Sequence, residues 1–184
     1  MNSGSPSAFL LFDERRLSLS LRSGAAVLFA VAFFWPTVTA AGLIPLFAAY
    51  LFVDGALALA PGGWRLRERR AWPLLAGGGI DMAAAAFVYF WPGMTVPLLI
   101  YAAALWAIAT GATVGLAGAT LREVDGDYLF LLSGIAALVL GRALLSHPAL
   151  DAVVLSTWIG LYALTNGIVL LKLVLPQHYR ELLD

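Results

Sequence analysis

Very few residues of this chain are equipped for chemistry, and most of those stand in apolar surroundings. An ionisable group so placed binds a proton, pairs with an opposite charge or lines an ion path. Asp81 is the leading candidate. Counting 1.5 Å per residue back from Trp91 places it roughly 15 Å deep, the middle of a bilayer core about 30 Å thick. The same count puts Arg22 about 20 Å from Trp35, within reach of a long side chain, so Asp81 and Arg22 are expected to form an intramembrane ion pair or proton site. Arg142 and Asp151 lie about 7 and 5 Å from the pair His147-Pro148, and histidine titrates near pH 6.5. These three residues are a candidate outer cluster, either pH-sensitive or simply paired at an interface. Asp54, some 27 Å from Pro36, heads a further set with Thr110 and Asn166. Each of the three precedes a glycine. They form either a polar ring where equivalent helices converge or a set of helix ends, since Gly and Asn are common terminators.

Other chemistries lack their residues. The chain has no cysteine, so thiolate catalysis, disulfides and cysteine metal sites are excluded. His147 and His178 stand alone, without metal-site spacing. Gly77-Gly78-Gly79 follows no strand and precedes no Lys-Ser or Lys-Thr, so it is no phosphate loop; with Gly111-x-x-x-Gly115 it suits close helix packing. Neither a Ser-His-Asp set nor a persuasive carboxylate pair is present. The expectation is a protein that is not an enzyme and takes no metal or cofactor.

The elements that position these residues follow from composition. Of 184 residues, 61% are hydrophobic and 12% charged, with a mean hydropathy of +0.88, too little polar surface for a water-soluble globule. Uncharged runs such as Ala25 to Val53 exceed the roughly 20 residues of one crossing, so each holds a helix, a turn and a second helix. Period-two alternation, the mark of a membrane barrel, is absent, and the runs are rich in Ala, Leu, Gly and Val. The net charge of zero gives no sign of a nucleic-acid partner.

An internal repeat organises the runs. Trp35-Pro36, Trp91-Pro92 and His147-Pro148 each stand 56 residues from the next, as do Tyr50, Trp106 and Tyr162, and the pairs Asp54-Gly55, Thr110-Gly111 and Asn166-Gly167. Proline suits a first helical turn and drives the preceding residue out of helical conformation, so Pro36, Pro92 and Pro148 mark hairpin turns. In this alignment Asp81 shares a column with Ala25 and Ala137.

The fold expected is therefore an all-α integral membrane protein of six transmembrane helices, arranged as three tandem hairpins of 56 residues. Predicted spans are about 19–35, 37–60, 73–91, 93–118, 128–146 and 149–174. They form one transmembrane domain, 19–175, with repeats at about 19–62, 73–118 and 128–174. Polar tails fill 1–18 and 176–184; Asp13 to Arg16 follow an apolar patch, the wrong order for a secretory signal. Arg15, Arg16, Arg65, Arg67, Arg69, Arg70, Arg122, Lys172 and Arg180 all fall on the side away from the turns, which places both termini in the cytoplasm. The Arg65 to Arg70 cluster serves as that topogenic signal or binds anionic headgroups. Partners expected are the lipid bilayer and, beyond it, a second copy or another membrane protein.

Three hairpins, each with an apolar helix, a turn proline and a second helix carrying a polar-Gly pair, resemble the HdeD acid-resistance membrane protein family over about Leu19 to Val174. The resemblance implies a bacterial inner-membrane protein tied to acid or stress resistance, and brings no catalytic residues with it. The alternative function is a small transporter or channel that uses Asp81 for proton or ion coupling.

Overall fold

Leucine and alanine, both strong helix formers, dominate each apolar run, and a helix satisfies its backbone groups within the segment. The chain folds as α1 (Pro6–Phe33), α2 (Ala40–Leu59), α3 (Trp72–Phe90), α4 (Val96–Thr120), α5 (Asp127–Ser146) and α6 (Ala152–Glu181). The computed structural model describes the backbone of residues 6–35, 39–60, 72–120 and 127–181, and side chains within 17–35, 39–60, 72, 75–118 and 131–172. Pro36, the Arg65 to Arg70 cluster and Arg122 lie outside the described residues, as do the side chains of Arg15, Arg16, His178 and Arg180.

The helix limits differ from the expected spans at several ends. Helix α1 starts at Pro6 and α6 runs to Glu181, so helix takes in much of both expected tails. The second helix of each hairpin starts about three residues later than its proline suggested. Pro92 and Pro148 lie in the turns, the former followed by Gly93 at φ 75°. What starts these helices is a capping column at the same 56-residue spacing: Thr39, Thr95 and Asp151. Their carbonyls accept from Leu43, Leu99 and Leu155 at 2.8, 2.9 and 3.0 Å. Thr39 Oγ1 also accepts from the Gly42 N–H at 3.3 Å, and Asp151 Oδ1 from Val154 at 2.8 Å, which satisfies otherwise orphaned donors.

The hairpins pack as a closed ring. The second helix of each repeat lies most extensively against the first helix of the next: α2 on α3, α4 on α5, and α6 back on α1. Contacts within a hairpin are fewer. The core repeats with threefold pseudosymmetry: Leu43, Leu99 and Leu155, then Phe47, Ala103 and Ile159, then Leu51, Ala107 and Ala163, are all fully buried.

Glycines set the closeness of the three main contacts. A Cβ on Gly55 would lie 2.9 Å from the Gly78 carbonyl, and one on Gly111 2.8 Å from that of Gly134. On Gly167 it would meet the Ser23 carbonyl at 3.3 Å and the Val27 side chain at 3.0 Å. Helices held this closely gain dispersion contacts that larger side chains would forbid. The polar-Gly pairs thus stand inside their helices as packing points and do not end them.

These contacts also show that α1 is one residue out of step. Gly55 meets Gly78, Asp81 and Met82; Gly111 meets Gly134 and Leu138; Gly167 meets Ser23, Ala26 and Val27. The counterpart of Asp81 and Ala137 is therefore Ala26, not Ala25, and Arg22 corresponds to Gly77 and Ser133. The chain from Ala26 to Leu43 is one residue shorter than from Asp81 to Leu99 or from Ala137 to Leu155, and this shifts the register.

The outer surface is apolar, with Leu28, Phe90, Leu105 and Val139 each more than 60% exposed. Among the described residues, Ala40–Leu59, Val96–Gly118 and Ala152–Lys172 are long and apolar enough to cross a membrane. The apolar segments of the first helices, Leu17–Phe33, Leu75–Phe90 and Leu131–Ser146, hold 17 residues or fewer. At 1.5 Å each these described segments reach about 25 Å, so among the described residues three helices combine the length and apolar composition of a full crossing.

Candidate functional site

The charged side chains described within the helical core gather in one place. Arg22 on α1 holds Asp54 on α2 through two parallel bonds, Nε to Oδ1 at 3.0 Å and Nη2 to Oδ2 at 2.7 Å. The two side chains are only 13% and 11% exposed. A bidentate guanidinium–carboxylate pair is among the strongest charge-assisted contacts a protein makes. Arg22 was expected to bind Asp81, and the difference has a simple origin. Helix α2 begins at Ala40, so Asp54 stands 14 residues into it, about 21 Å along. Arg22 lies about 16 Å from the end of α1, and its side chain spans the rest.

Asp81 lies beside this pair, on α3. It is 2% exposed, and its Oδ1 accepts the indole N–H of Trp106 at 2.6 Å. Its carboxyl lies close enough to Asp54 and Arg22 to feel the charge of both. Trp106 sits where the three equivalent aromatic residues meet: its ring lies edge-on to Tyr50 at 6.2 Å and to Tyr162 at 5.4 Å, with Phe47 at 5.5 Å. The apolar wall excludes water, while the indole supplies a donor. Trp106 was not foreseen as a partner, yet the aligned column carried a signal: tyrosine becomes tryptophan in the one repeat that contains Asp81.

The polar column does not close into a ring. Two of its members instead meet the first helix of their own repeat at the position equivalent to Arg22. Asp54 meets Arg22, and Asn166 Oδ1 accepts from the Ser133 hydroxyl at 3.4 Å. The middle copy has Gly77 at that position, and the buried Thr110 hydroxyl has no hydrogen-bond partner. A Cβ on Gly77 would meet nothing within 4 Å.

The expected outer cluster is also dispersed. Arg142 is exposed and its guanidinium donates to the Ser146 hydroxyl, which donates in turn to the Arg142 carbonyl at 2.8 Å. His147 Nδ1 lies 3.0 Å from the Ala143 carbonyl, its ring edge-on to Trp158 at 6.0 Å. Asp151 is occupied as a helix cap, and no ion pair joins it to Arg142 among the described residues.

With this geometry in place, comparison with known proteins is informative about lineage. The family described as "Short repeat of unknown function" (DUF308) matches the chain three times, over residues 24–90, 76–145 and 132–180. No curated protein and no solved structure gives a significant match. The three matches run the length of the helical ring, and the chain belongs to the DUF308 short-repeat family, which includes HdeD-like membrane proteins.

Proposed function

We propose that this is a non-enzymatic, multi-pass protein of a bacterial inner membrane, with six membrane-inserted helices and both termini cytoplasmic, that serves acid or stress resistance. The observation that carries the reading is the charge count of the buried cluster. One guanidinium, Arg22, stands against two carboxyl groups, Asp54 and Asp81. An uncompensated charge in a low-dielectric core costs several kcal/mol, so the cluster reaches neutrality by holding one proton. Both Asp54 oxygens are engaged by Arg22, while Asp81 has the Trp106 donor at one oxygen, so Asp81 is the place for that proton. Close packing around the cluster favours a proton held over a proton conducted. The resemblance to HdeD proteins supports the acid or stress role, and the basic residues away from the turns support the orientation. Exposed Gly24 and Gly79, at which a Cβ would meet nothing of this chain, leave room for a second copy or a membrane partner to approach.

A proton-coupled transporter or channel is the second reading, favoured by two carboxyl groups close to each other inside the bundle. Proton flux across a pH gradient in proteoliposomes separates the two, comparing intact protein with Asp81→Asn at matched incorporation. The leading reading expects both to match protein-free vesicles. Flux that depends on Asp81 replaces it with the second.

A further inference from the structure

The third repeat differs from the second on its outer face. An open-sided hollow of about 520 Å³ is lined by Ile135, Leu138, Val139, Arg142, Ala143 and Ser146, all on α5. Its origin is legible in the repeat: the second repeat has Phe87 and Phe90 where the third has Ala143 and Ser146. Two aromatic rings, exposed on the outer face of the second repeat, are replaced by a methyl and a hydroxymethyl group. At the head of the hollow stands Arg142, whose equivalents Val31 and Ala86 are apolar and likewise exposed. The ring fold therefore has no need of a cation there.

An arginine on a lipid-facing surface is costly unless its head reaches the interface or finds an anion. Arg142 lies about 6 Å along the helix from the end of α5, so its guanidinium comes to headgroup depth beneath the His147-Pro148 turn. The Ser146 hydroxyl takes one N–H, and no acidic side chain pairs with Arg142 among the described residues. The remaining donors form a fork that matches a phosphate. Below it, Ile135, Leu138 and Val139 offer an apolar wall continuous with the bundle's outer surface. Of the nearby titratable groups, His147 is turned back on the Ala143 carbonyl and Asp151 caps α6.

We infer that Arg142 and the hollow beneath it bind one anionic phospholipid of the turn-side leaflet, the phosphate on the remaining guanidinium donors, an acyl chain along Ile135, Leu138 and Val139. The inference rests on the turns lying at a membrane surface. The second repeat, with Phe87 and Phe90 in place and no cation, has no such site.

The test is native mass spectrometry and thermal unfolding of the full chain in neutral detergent, with dioleoylphosphatidylglycerol and dioleoylphosphatidylcholine as probes. The intact protein should retain one phosphatidylglycerol per chain in preference to phosphatidylcholine and unfold at a higher temperature with it. Arg142→Gln should weaken that preference about fivefold to tenfold. Ala143→Phe, which copies the second repeat and keeps the cation, should abolish retention of the single lipid. Equal retention of both lipids by the intact protein overturns the inference while leaving the membrane reading standing; recovery of the chain from cells in the aqueous fraction overturns the membrane reading itself. Displacement by millimolar inorganic phosphate would make the site one for a free anion. A dimer that Arg142→Gln dissolves would give the hollow to a second copy. Either result overturns the lipid assignment.

Discussion

Gly77→Ser should give the buried Thr110 hydroxyl the partner that its two counterparts already have. In the first repeat the position equivalent to Gly77 carries Arg22, bound to Asp54, and in the third it carries Ser133, bound to Asn166. Only the middle copy has glycine there, and Thr110 Oγ1 is buried without a hydrogen bond. Room is available, since a Cβ on Gly77 meets nothing within 4 Å. An interhelical hydrogen bond in a membrane bundle is worth about 0.6 kcal/mol on average, and replacing glycine by serine within a helix adds about 0.5 kcal/mol, for a gain of about 1 kcal/mol. The propensity gain needs no partner, so the informative quantity is the coupling. A cycle of intact protein, Gly77→Ser, Thr110→Val and the double variant, unfolded with sodium dodecyl sulfate in mixed micelles, should show about 0.6 kcal/mol of interaction between the two positions. A coupling of zero, or a loss of stability on Gly77→Ser alone, would refute the pairing deduced from the equivalence of Gly77 with Ser133 and Arg22.

Arg22→Met should cost about 3 to 5 kcal/mol in the same assay, because it leaves Asp54 buried and unpaired, whereas Arg22→Met with Asp54→Leu should recover most of the loss; simple addition of two losses would contradict the ion pair. Gly134→Ala places a Cβ 2.7 Å from the Gly115 backbone nitrogen and should destabilise by about 1 to 3 kcal/mol. Gly24→Ala, with open space at its Cβ, should cost nothing, and equal effects of the two would argue against the α4–α5 contact.

Much of this architecture was legible in the residues. The 56-residue period found the hairpins, and the aromatic column Tyr50, Trp106 and Tyr162 does meet near the centre of the ring. What escaped was whatever depended on the path of the chain between columns. Trp35-Pro36 aligns with Trp91-Pro92 and so hides the residue missing between Ala26 and Leu43, which sets Ala25 rather than Ala26 against Asp81 in the sequence alignment. The capping column Thr39, Thr95 and Asp151 has the same spacing as the prolines, but the prolines drew the helix starts toward themselves. Asp54-Gly55 read as a helix end because glycine serves two purposes, and only the distance from Gly55 to the Gly78 carbonyl shows that here it permits close approach.

The claim at the centre of this account is that the Arg22–Asp54–Asp81 cluster holds one proton, on Asp81, within a closed bundle. Infrared spectroscopy of the lipid-reconstituted protein at neutral pH tests it most directly, through the carbonyl stretch that distinguishes a protonated carboxyl group from a carboxylate. A protonated-carboxyl band that disappears in Asp81→Asn is the predicted result. No such band in the intact protein, or one that survives in Asp81→Asn, would contradict it.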